Sequence, residues 1–575
     1  MRFALSIPAF AAAGRHALGL LASLVACATA PAAEKPNVLL ICVDDLKPAI
    51  GAFGDPLAKT PNIDKLAARG VVFERAYCNQ AVCSPSRNAL LTSLRPQSLG
   101  IYDLATNFRL GKPDAVTLPE FFRKAGYRSQ GMGKIFHAGH GNRDDSRSWS
   151  VPYFKPKAET YAVAASKPPV VAGADRVAEA DLPRGTAFER ADVPDNFYAD
   201  GQVADEAIRR LDAARTTPNE PFILAVGFIR PHLPFCAPAK YWDMHDRTAF
   251  RLPEYRNAPE GSPDYAMTTS GELRRYKNIP ARGPMDDELT RDLIHAYYAA
   301  TSYADAQIGR VLDALERNGL ADDTIVVFWG DHGWHLGDHG LWCKHTNYEQ
   351  AARVPLIVAA PGVAAGRSPS LIETVDIYPT IVELAGLKPP SGLDGISQAA
   401  AVKHPATHIR DSIIHVYPRG ADLLGRAVRT DRHRLVEWKK FGASVDSAIY
   451  ELYDYEADPL ETRNLAAEQP AVVRFMKGLL ASHPEARPPV GRPAPALAAT
   501  PKAAAKKAAP KKKTDRGTLF TRRDTDGDGR LSRAEFLANQ PDPAAAPQRF
   551  ERFDIDKNGF LSRDEFLNMG RTGTP

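Results

Sequence analysis

The sequence predicts an α/β fold: a large, mostly parallel sheet sandwiched by helices, then a smaller C-terminal antiparallel subdomain and a short α-helical module. Three observations carry this expectation. Apolar runs of strand length alternate with helical periodicities between residues 37 and 360. Two of those runs end in polar clusters, Asp44-Asp45 and Gly330-Asp331-His332-Gly333, and ligands of open α/β sheets bind beyond the carboxyl ends of strands. Residues 405–470 then change to short alternating segments of antiparallel character.

The elements follow in order. Residues 1–33 read as an export signal: Arg2 and Arg15 supply positive charge, and residues 17–26 are apolar but too few to span a bilayer. Ala28-Thr29-Ala30 is a small-residue cleavage pattern. Leu24-Val25-Ala26-Cys27 reads alternatively as a lipid-attachment box with Cys27 acylated. The expected location is periplasmic or extracellular, and no later segment is long and apolar enough to span a membrane. A main domain is expected over residues 34–400. It has strands at 37–43, 127–132, 221–229, 324–329 and 354–360, and helices at 63–70, from Cys83 onward, at 117–125 and at 289–317. Residues 140–220 and 236–290 are rich in Pro, Asp and Arg without a clear period, as expected of irregular insertions that build the rim of a site. Strands at 412–417, 425–430, 434–438 and 447–453 make a subdomain over 401–484. Residues 485–515 are a Pro-, Ala- and Lys-rich linker unable to bury a core.

The formal net charge is +5. Six lysines lie between Lys502 and Lys513, and without them the balance is slightly acidic. The basic excess therefore belongs to the linker and is no nucleic-acid footprint. Beyond the signal remain Cys42, Cys78, Cys83, Cys236 and Cys343, whose spacing shows no disulfide framework.

Cys83-Ser84-Pro85-Ser86-Arg87 sets a cysteine, a proline and an arginine at C-x-P-x-R spacing, and Asn88-Ala89-Leu90-Leu91-Thr92-Ser93-Leu94 continues as a helix. Pro85 suits a first helical turn. Cys83 then faces free backbone N–H groups and the positive end of the helix dipole, a place for an anion or for a nucleophile that attacks one. Arg87 lies four residues on, on the same face. The two acidic strand ends suggest one oxygen-rich metal site, because paired carboxylates without a cation repel each other.

Around Gln80-Ala81-Val82-Cys83-Ser84-Pro85-Ser86-Arg87 stand four more blocks in order: Val43-Asp44-Asp45-Leu46, Gly133-Lys134-Ile135-Phe136-His137, Arg230-Pro231-His232-Leu233-Pro234-Phe235 and Gly330-Asp331-His332-Gly333-Trp334. Across residues 35–470 the chain resembles the sulfatase family of the alkaline-phosphatase-like superfamily, nearest its iduronate-2-sulfatase branch. The resemblance implies that Cys83 is converted to formylglycine by a formylglycine-generating or sulfatase-maturing enzyme. It implies one catalytic calcium held by Asp44, Asp45, Asp331, His332 and the modified Cys83. It gives Arg87 the ionised diol to hold, Lys134 a charge-stabilising role, and His137 the part of base in breakdown of the sulfated intermediate. His232 and Lys344 become a sulfate-binding pair, either able to protonate the leaving oxygen. The implied activity is removal of sulfate from a sulfated saccharide, a uronate 2-O-sulfate, in glycosaminoglycan or other polysaccharide degradation. Two alternatives stand beside it: a phosphodiesterase or phosphonate monoester hydrolase of the same superfamily, and an inactive calcium-binding carbohydrate-docking protein. Tyr102, Asp103, Phe108, Trp334, His335, His339, Trp342 and His345 are candidates for lining the substrate pocket, with packing as the alternative.

The C-terminal residues 516–575 carry two EF-hand loops, one from Asp524 to Glu535 and one from Asp554 to Glu565. Asp524, Asp526, Asp528 and Glu535 in the first, and Asp554, Asp556, Asn558 and Glu565 in the second, hold ligand positions 1, 3, 5 and 12, with the backbone carbonyls of Arg530 and Phe560 at position 7. Glycine holds position 6 and an apolar residue position 8 in both. Two calcium ions are expected there, in a stabilising cap, a surface tether or a module for a docking partner.

Overall fold

Runs of apolar residues buried on both faces build the centre of the molecule. The computed structural model describes residues 35–170, 182–491, 516–538 and 546–567. The expected signal, Cys27 and most of the linker lie outside these residues. Strands β1 (Asn37–Val43), β2 (Val71–Tyr77), β3 (Arg128–Gly133), β4 (Phe222–Phe228), β5 (Thr324–Gly330), β6 (Arg353–Ala359) and β7 (Gly366–Glu373) form a seven-stranded sheet in the order β7-β2-β6-β5-β1-β4-β3. β1 pairs in parallel with β4 and β5, and β6 runs antiparallel to both β2 and β5. The sheet is mixed and mostly parallel, as its sequence pattern implies.

Helices α1 (Pro61–Arg69), α2 (Cys83–Thr92), α3 (Leu118–Lys124), α4 (Ala199–Ala214), α5 (Asp287–Arg317) and α6 (Thr374–Leu384) cover the sheet. Val38, Leu40 and Cys42 pack with Leu90, Leu91, Phe122 and Tyr378 on one face. Leu39, Ile41 and Val43 pack with Ile63, Leu66, Val203, Leu211 and Ile308 on the other. A strand covered on both faces must be apolar at every position, which is why β1 reads as an unbroken run.

The structure corrects one expectation: residues 140–220 are not irregular throughout, because they contain α4. Its buried stripe includes Ala204 and Ala207 beside Val203 and Leu211, interrupted by buried Asp200 and Arg210, so no strong apolar period marks it. β2 and β7 escaped notice for related reasons. Glu74-Arg75 interrupts the first, and the second contains Arg367, Ser368, Pro369 and Ser370.

β8 (Ile413–Arg419), β9 (Leu423–Arg429), β10 (His433–Lys440) and β11 (Ile449–Asp454) form the expected four-stranded antiparallel sheet in chain order. Glu373, buried at the end of β7, ties this layer to the main sheet. Its carboxylate accepts from Arg95 Nε (2.6 Å), Arg410 Nη1 (2.6 Å) and the backbone N–H of Ile414 (3.1 Å).

The described residues of the C-terminal unit hold a core of their own, made of Phe520, Leu531, Phe536, Phe550, Leu561 and Phe566. Residues 530–532 and 560–562 pair antiparallel, with Leu531 opposite Leu561. Gly529 and Gly559 stand at φ 81° and 83°, the sharp turn that loop position 6 demands.

Gly227, in β4, shows how closely the sheet approaches the residues beyond β3. A Cβ there would lie 2.2 Å from the carbonyl oxygen of Lys134, a backbone atom with no rotamer to escape by. Gly227→Ala should lower stability by about 1–3 kcal/mol through overpacking. Urea unfolding followed by tryptophan fluorescence reads this directly, and an unchanged midpoint would contradict the close approach.

Candidate active site

β1 and β5 are neighbours in parallel register, with Val43 opposite Gly330, so the polar residues that follow them emerge side by side. The Asp331 N–H donates to the Val43 carbonyl (3.1 Å), and the Asp45 N–H donates to Asp331 Oδ1 (2.9 Å). Asp45 holds φ 59°, a left-handed conformation that aspartate tolerates better than most residues. α2 enters from the side. Its N-cap is Val82, which has no side-chain acceptor to offer, and every residue from Cys83 to Thr92 is buried.

The helix N-terminus meets the strand ends. Cys83 Sγ lies 3.4 Å from His332 Nε2, 3.9 Å from Asp45 Oδ1 and 3.9 Å from Lys134 Nζ. Arg87 donates from Nε to Asp331 Oδ2 (2.9 Å) and from Nη2 to Asp44 Oδ1 (3.0 Å), and it also reaches the Lys134 carbonyl. Lys134 pairs with Asp44, and Lys344 pairs with Asp45 at 3.0 Å. His232 Nε2 stands 3.8 Å from Asp45 Oδ2 and 4.0 Å from Asp44 Oδ2. His137 is buried beside Lys134, with its Nε2 on His140 Nδ1 at 3.2 Å.

Electrostatics follow from this crowding. Burial alone would raise the Asp44 carboxyl, but the charges of Lys134 and Arg87 hold it well below the usual carboxylate range. Asp331 is lifted to about 6 by burial and, against the pull of His332, by the neighbouring Asp44 charge. Burial, then Asp44, raises the Cys83 thiol well above its ordinary value. The unmodified residue is therefore a protonated thiol, and the thiolate is the nucleophilic form.

Asp44, Asp45, Cys83 and His332 present donor atoms that all lie within 4.8 Å of one another, every residue buried. His332 Nδ1 is 3.0 Å from the Gly333 carbonyl, which can only accept, so this nitrogen carries the hydrogen. Nε2, the ring nitrogen left to offer a lone pair, lies 3.2 Å from Asp45 Oδ1. Two carboxylates and an imidazole nitrogen converging in a buried cleft fit a divalent cation. Asp331, part of the expected ligand set, has Oδ2 on Arg87 and Oδ1 on the Asp45 N–H, 3.6 Å from His332 Nε2.

One residue of the site was not foreseen. Glu272, from the irregular 236–290 insertion, lies 2.9 Å from Lys344 Nζ, 3.3 Å from His232 Nε2 and 3.9 Å from His345 Nε2. Burial would raise its carboxyl, but Lys344 and then His232 hold it well below the usual range. A single glutamate in an aperiodic loop carries no sequence signal. Other rim candidates turn out to pack. Tyr102 is buried, its hydroxyl donating to the Arg487 carbonyl at 2.7 Å. Phe108 stacks on Phe136, and Trp334 packs against Phe235 and Tyr297. Trp342 is buried as well. His335 pairs with Thr346 Oγ1 (2.9 Å) and His339 with the Leu460 carbonyl (2.8 Å), both buried. Asp103 accepts from the N–H groups of Ala105 and Thr106 in an exposed turn. His345 stays near the site, beside Glu272 and Tyr417.

In the C-terminal unit Asp524, Asp526 and Asp528 cluster in the first loop, and Asp554, Asp556 and Glu565 in the second. Glu535 and Glu565 each accept from the N–H of loop position 2 at 2.8 Å. Asn558 Oδ1 accepts the Phe560 N–H (2.9 Å), and Asp528 Oδ1 accepts the Arg530 N–H (3.0 Å).

Comparison with known proteins agrees with this geometry. The Sulfatase family profile matches residues 36–387, the N-sulphoglucosamine sulphohydrolase C-terminal profile residues 337–482, and the EF-hand profile residues 518–538 and 548–569. Iduronate 2-sulfatase of Mus musculus is 32% identical over 510 residues, covering 76% of this chain and 91% of its own. The structure of a 2-O GAG sulfatase superposes with a TM-score of 0.59 at 25% identity, over 78% of this chain and 92% of its own. The phosphonate monoester hydrolase of Agrobacterium radiobacter shares the fold, with a TM-score of 0.61 at 22% identity over 78% and 95%.

Glu272 places a negative charge against the two basic groups best set to receive an oxyanion. Glu272→Gln should therefore tighten binding of inorganic sulfate on the order of tenfold, because one nearby unit charge is removed from a poorly solvated cleft. Isothermal titration measures this, and unchanged or weaker binding would contradict the assigned charge balance.

Proposed function

The chain belongs to the sulfatase family, whose members hydrolyse sulfate esters, and we propose that it removes sulfate from a uronate 2-O-sulfate, using formylglycine made from Cys83 and a bound calcium. The observation that carries the reading is the meeting of residue 83 with both acidic strand ends, at 3.4 Å from His332 and 3.9 Å from Asp45. As formylglycine, residue 83 supplies a hydrated aldehyde, with one hydroxyl to attack sulfur and a second whose ionisation expels sulfate, which a serine alcohol lacks. Calcium suits the carboxylate donors of Asp44, Asp45 and Asp331, and it supplies charge that polarises the S–O bonds, with His332 as the nitrogen donor.

The chain's own residues do the rest. Arg87, fixed between Asp44 and Asp331, holds its charge along the helix that carries residue 83. Lys134 stands close enough to residue 83 to stabilise an anion forming there. Burial and the Lys134 charge push His137 down to about 2, so the ring rests neutral with one nitrogen lone pair, and a proton it takes up must move on. His232 Nδ1 meets the Leu233 carbonyl at 2.6 Å and is thus the N–H side of the ring, which leaves Nε2 facing the cleft beside Lys344. Either group is placed to bind sulfate and to give a proton to the leaving sugar oxygen.

Four carboxylates, Asp44, Asp45, Asp331 and Glu272, face three fixed cations, Arg87, Lys134 and Lys344. A divalent cation added to that balance leaves the cleft positive, as an anionic ester requires. The uronate 2-O-sulfate assignment is supported by the 32% identity to an iduronate 2-sulfatase and the 25% identity to a 2-O GAG sulfatase. Export through residues 1–33 and maturation by a formylglycine-generating enzyme go with it.

Full-length protein co-expressed with a formylglycine-generating enzyme should desulfate a uronate 2-O-sulfated disaccharide and should leave a phenylphosphonate monoester essentially untouched. Cys83→Ala should abolish that activity without changing the circular dichroism spectrum. Preference for the phosphonate would replace this reading with the phosphonate monoester hydrolase one. In a separate assay, the double variant Asp524→Ala, Asp554→Ala should lower bound calcium by about two ions per chain, one per loop. Turnover should stay within about twofold, since neither residue has a role in the proposed chemistry. A large fall in kcat would tie the C-terminal unit to catalysis.

A further inference from the structure

His140 is a second histidine that the proposed chemistry leaves without a task. It lies on the loop after β3, exposed and at φ 52°. Its Nδ1 is 3.2 Å from His137 Nε2, and the two rings stack with centroids 5.4 Å apart and planes 22° from parallel. The loop is built rather than loose. Gly139 and Asn142 exchange backbone hydrogen bonds of 3.1 and 2.8 Å around His140. Asn142 Nδ2 donates to Ser84 Oγ at 3.2 Å, tying the loop to the residue next to Cys83. His137 is buried, and its other nitrogen, Nδ1, has no hydrogen-bond partner.

We propose that His140 is a positioning residue that takes the proton His137 receives during sulfate release and passes it to solvent. The inference rests on the reading of His137 as the base. In this relay His137 rests with its hydrogen on Nε2, donating to His140 Nδ1, because the other tautomer would bury an unpaired N–H at Nδ1; that leaves Nδ1 of His137 as the acceptor. A proton arriving at His137 Nδ1 displaces the Nε2 hydrogen onto His140 Nδ1, and His140 releases its own Nε2 hydrogen to water. One proton enters, one leaves, and each ring stays neutral with its tautomer exchanged. The arrangement answers a physical difficulty. Burial and the adjacent Lys134 charge make an imidazolium at His137 costly, with the ring pushed down to about 2. A base that hands its proton to an exposed neighbour never has to store that charge.

The test uses the full-length, matured protein with 4-nitrophenyl sulfate, whose good leaving group makes the second half of turnover limiting. His140→Ala should lower kcat about tenfold, a share of what general base catalysis supplies, with KM within about twofold. Covalently sulfated protein should accumulate in intact-mass spectra, and added imidazole should restore the rate. In nitrogen-15 NMR of the unmatured protein, the His137 ring should sit in its Nε2–H tautomer and lose that preference in His140→Ala. Wild-type turnover in His140→Ala, while His137→Ala stalls as sulfated protein, overturns the relay and leaves the base in place. Full recovery by His140→Asn, which can bond but cannot relay, also overturns it. His137→Ala with neither a rate loss nor sulfated protein overturns the base and the relay together.

Discussion

The buried guanidinium of Arg87 holds the site together. It reaches from α2 to Asp44 after β1, to Asp331 after β5 and to the Lys134 carbonyl after β3, so one side chain ties together the ends of three strands. Arg87, Asp44 and Asp331 are all withdrawn from water. Such a pair is stabilising only while complete, and removing one partner strands the others at a cost of about 3–5 kcal/mol. The bond geometry also explains the C-x-P-x-R spacing. Arg87 lies one helical turn from residue 83, so the residue that anchors the helix to the strand ends also fixes where residue 83 sits.

Around that anchor the site separates into a rigid floor and an added rim. The floor comes from strand ends and the first turn of α2, elements packed on both faces. The rim comes from the 236–290 insertion, which brings Glu272 against Lys344 and His232, and from β8, which brings Tyr417 against His345. Chemistry that must be precise rests on the sheet. Groups that meet the variable part of a substrate rest on loops that can change without disturbing it. The carboxylate of Glu272 is the clearest case, since it sets a negative charge against Lys344 and beside His232.

The C-terminal unit follows a different economy. Its core is six side chains, four of them phenylalanine, which is little for a free-standing fold. Its two loops gather carboxylates within 4.8 Å of one another. A cation there would relieve the mutual repulsion among them and so couple metal binding to folding. In the main unit each acidic residue at the strand ends also has a basic partner, Lys134, Arg87 or Lys344.

Much of this was legible in the chain itself. β1 and β5 announce themselves because strands buried on both faces must be apolar throughout, and the EF-hand loops do so because ligand geometry dictates both residue type and spacing. The C-x-P-x-R block and the acidic strand ends are local for the same reason: helix dipole, proline and carboxylate repulsion act within a few residues. α4 was hidden because small and polar side chains share its buried stripe. Glu272 and the pairing of His137 with His140 were hidden because a contact across the fold leaves no period. Trp334, His335 and Phe108 looked available for a ligand and are instead packed. What local chemistry requires can be read from neighbours in sequence. Which charges finally face one another is decided by strand register and loop packing, since Coulomb and hydrogen-bond forces depend on distances that only the folded chain sets.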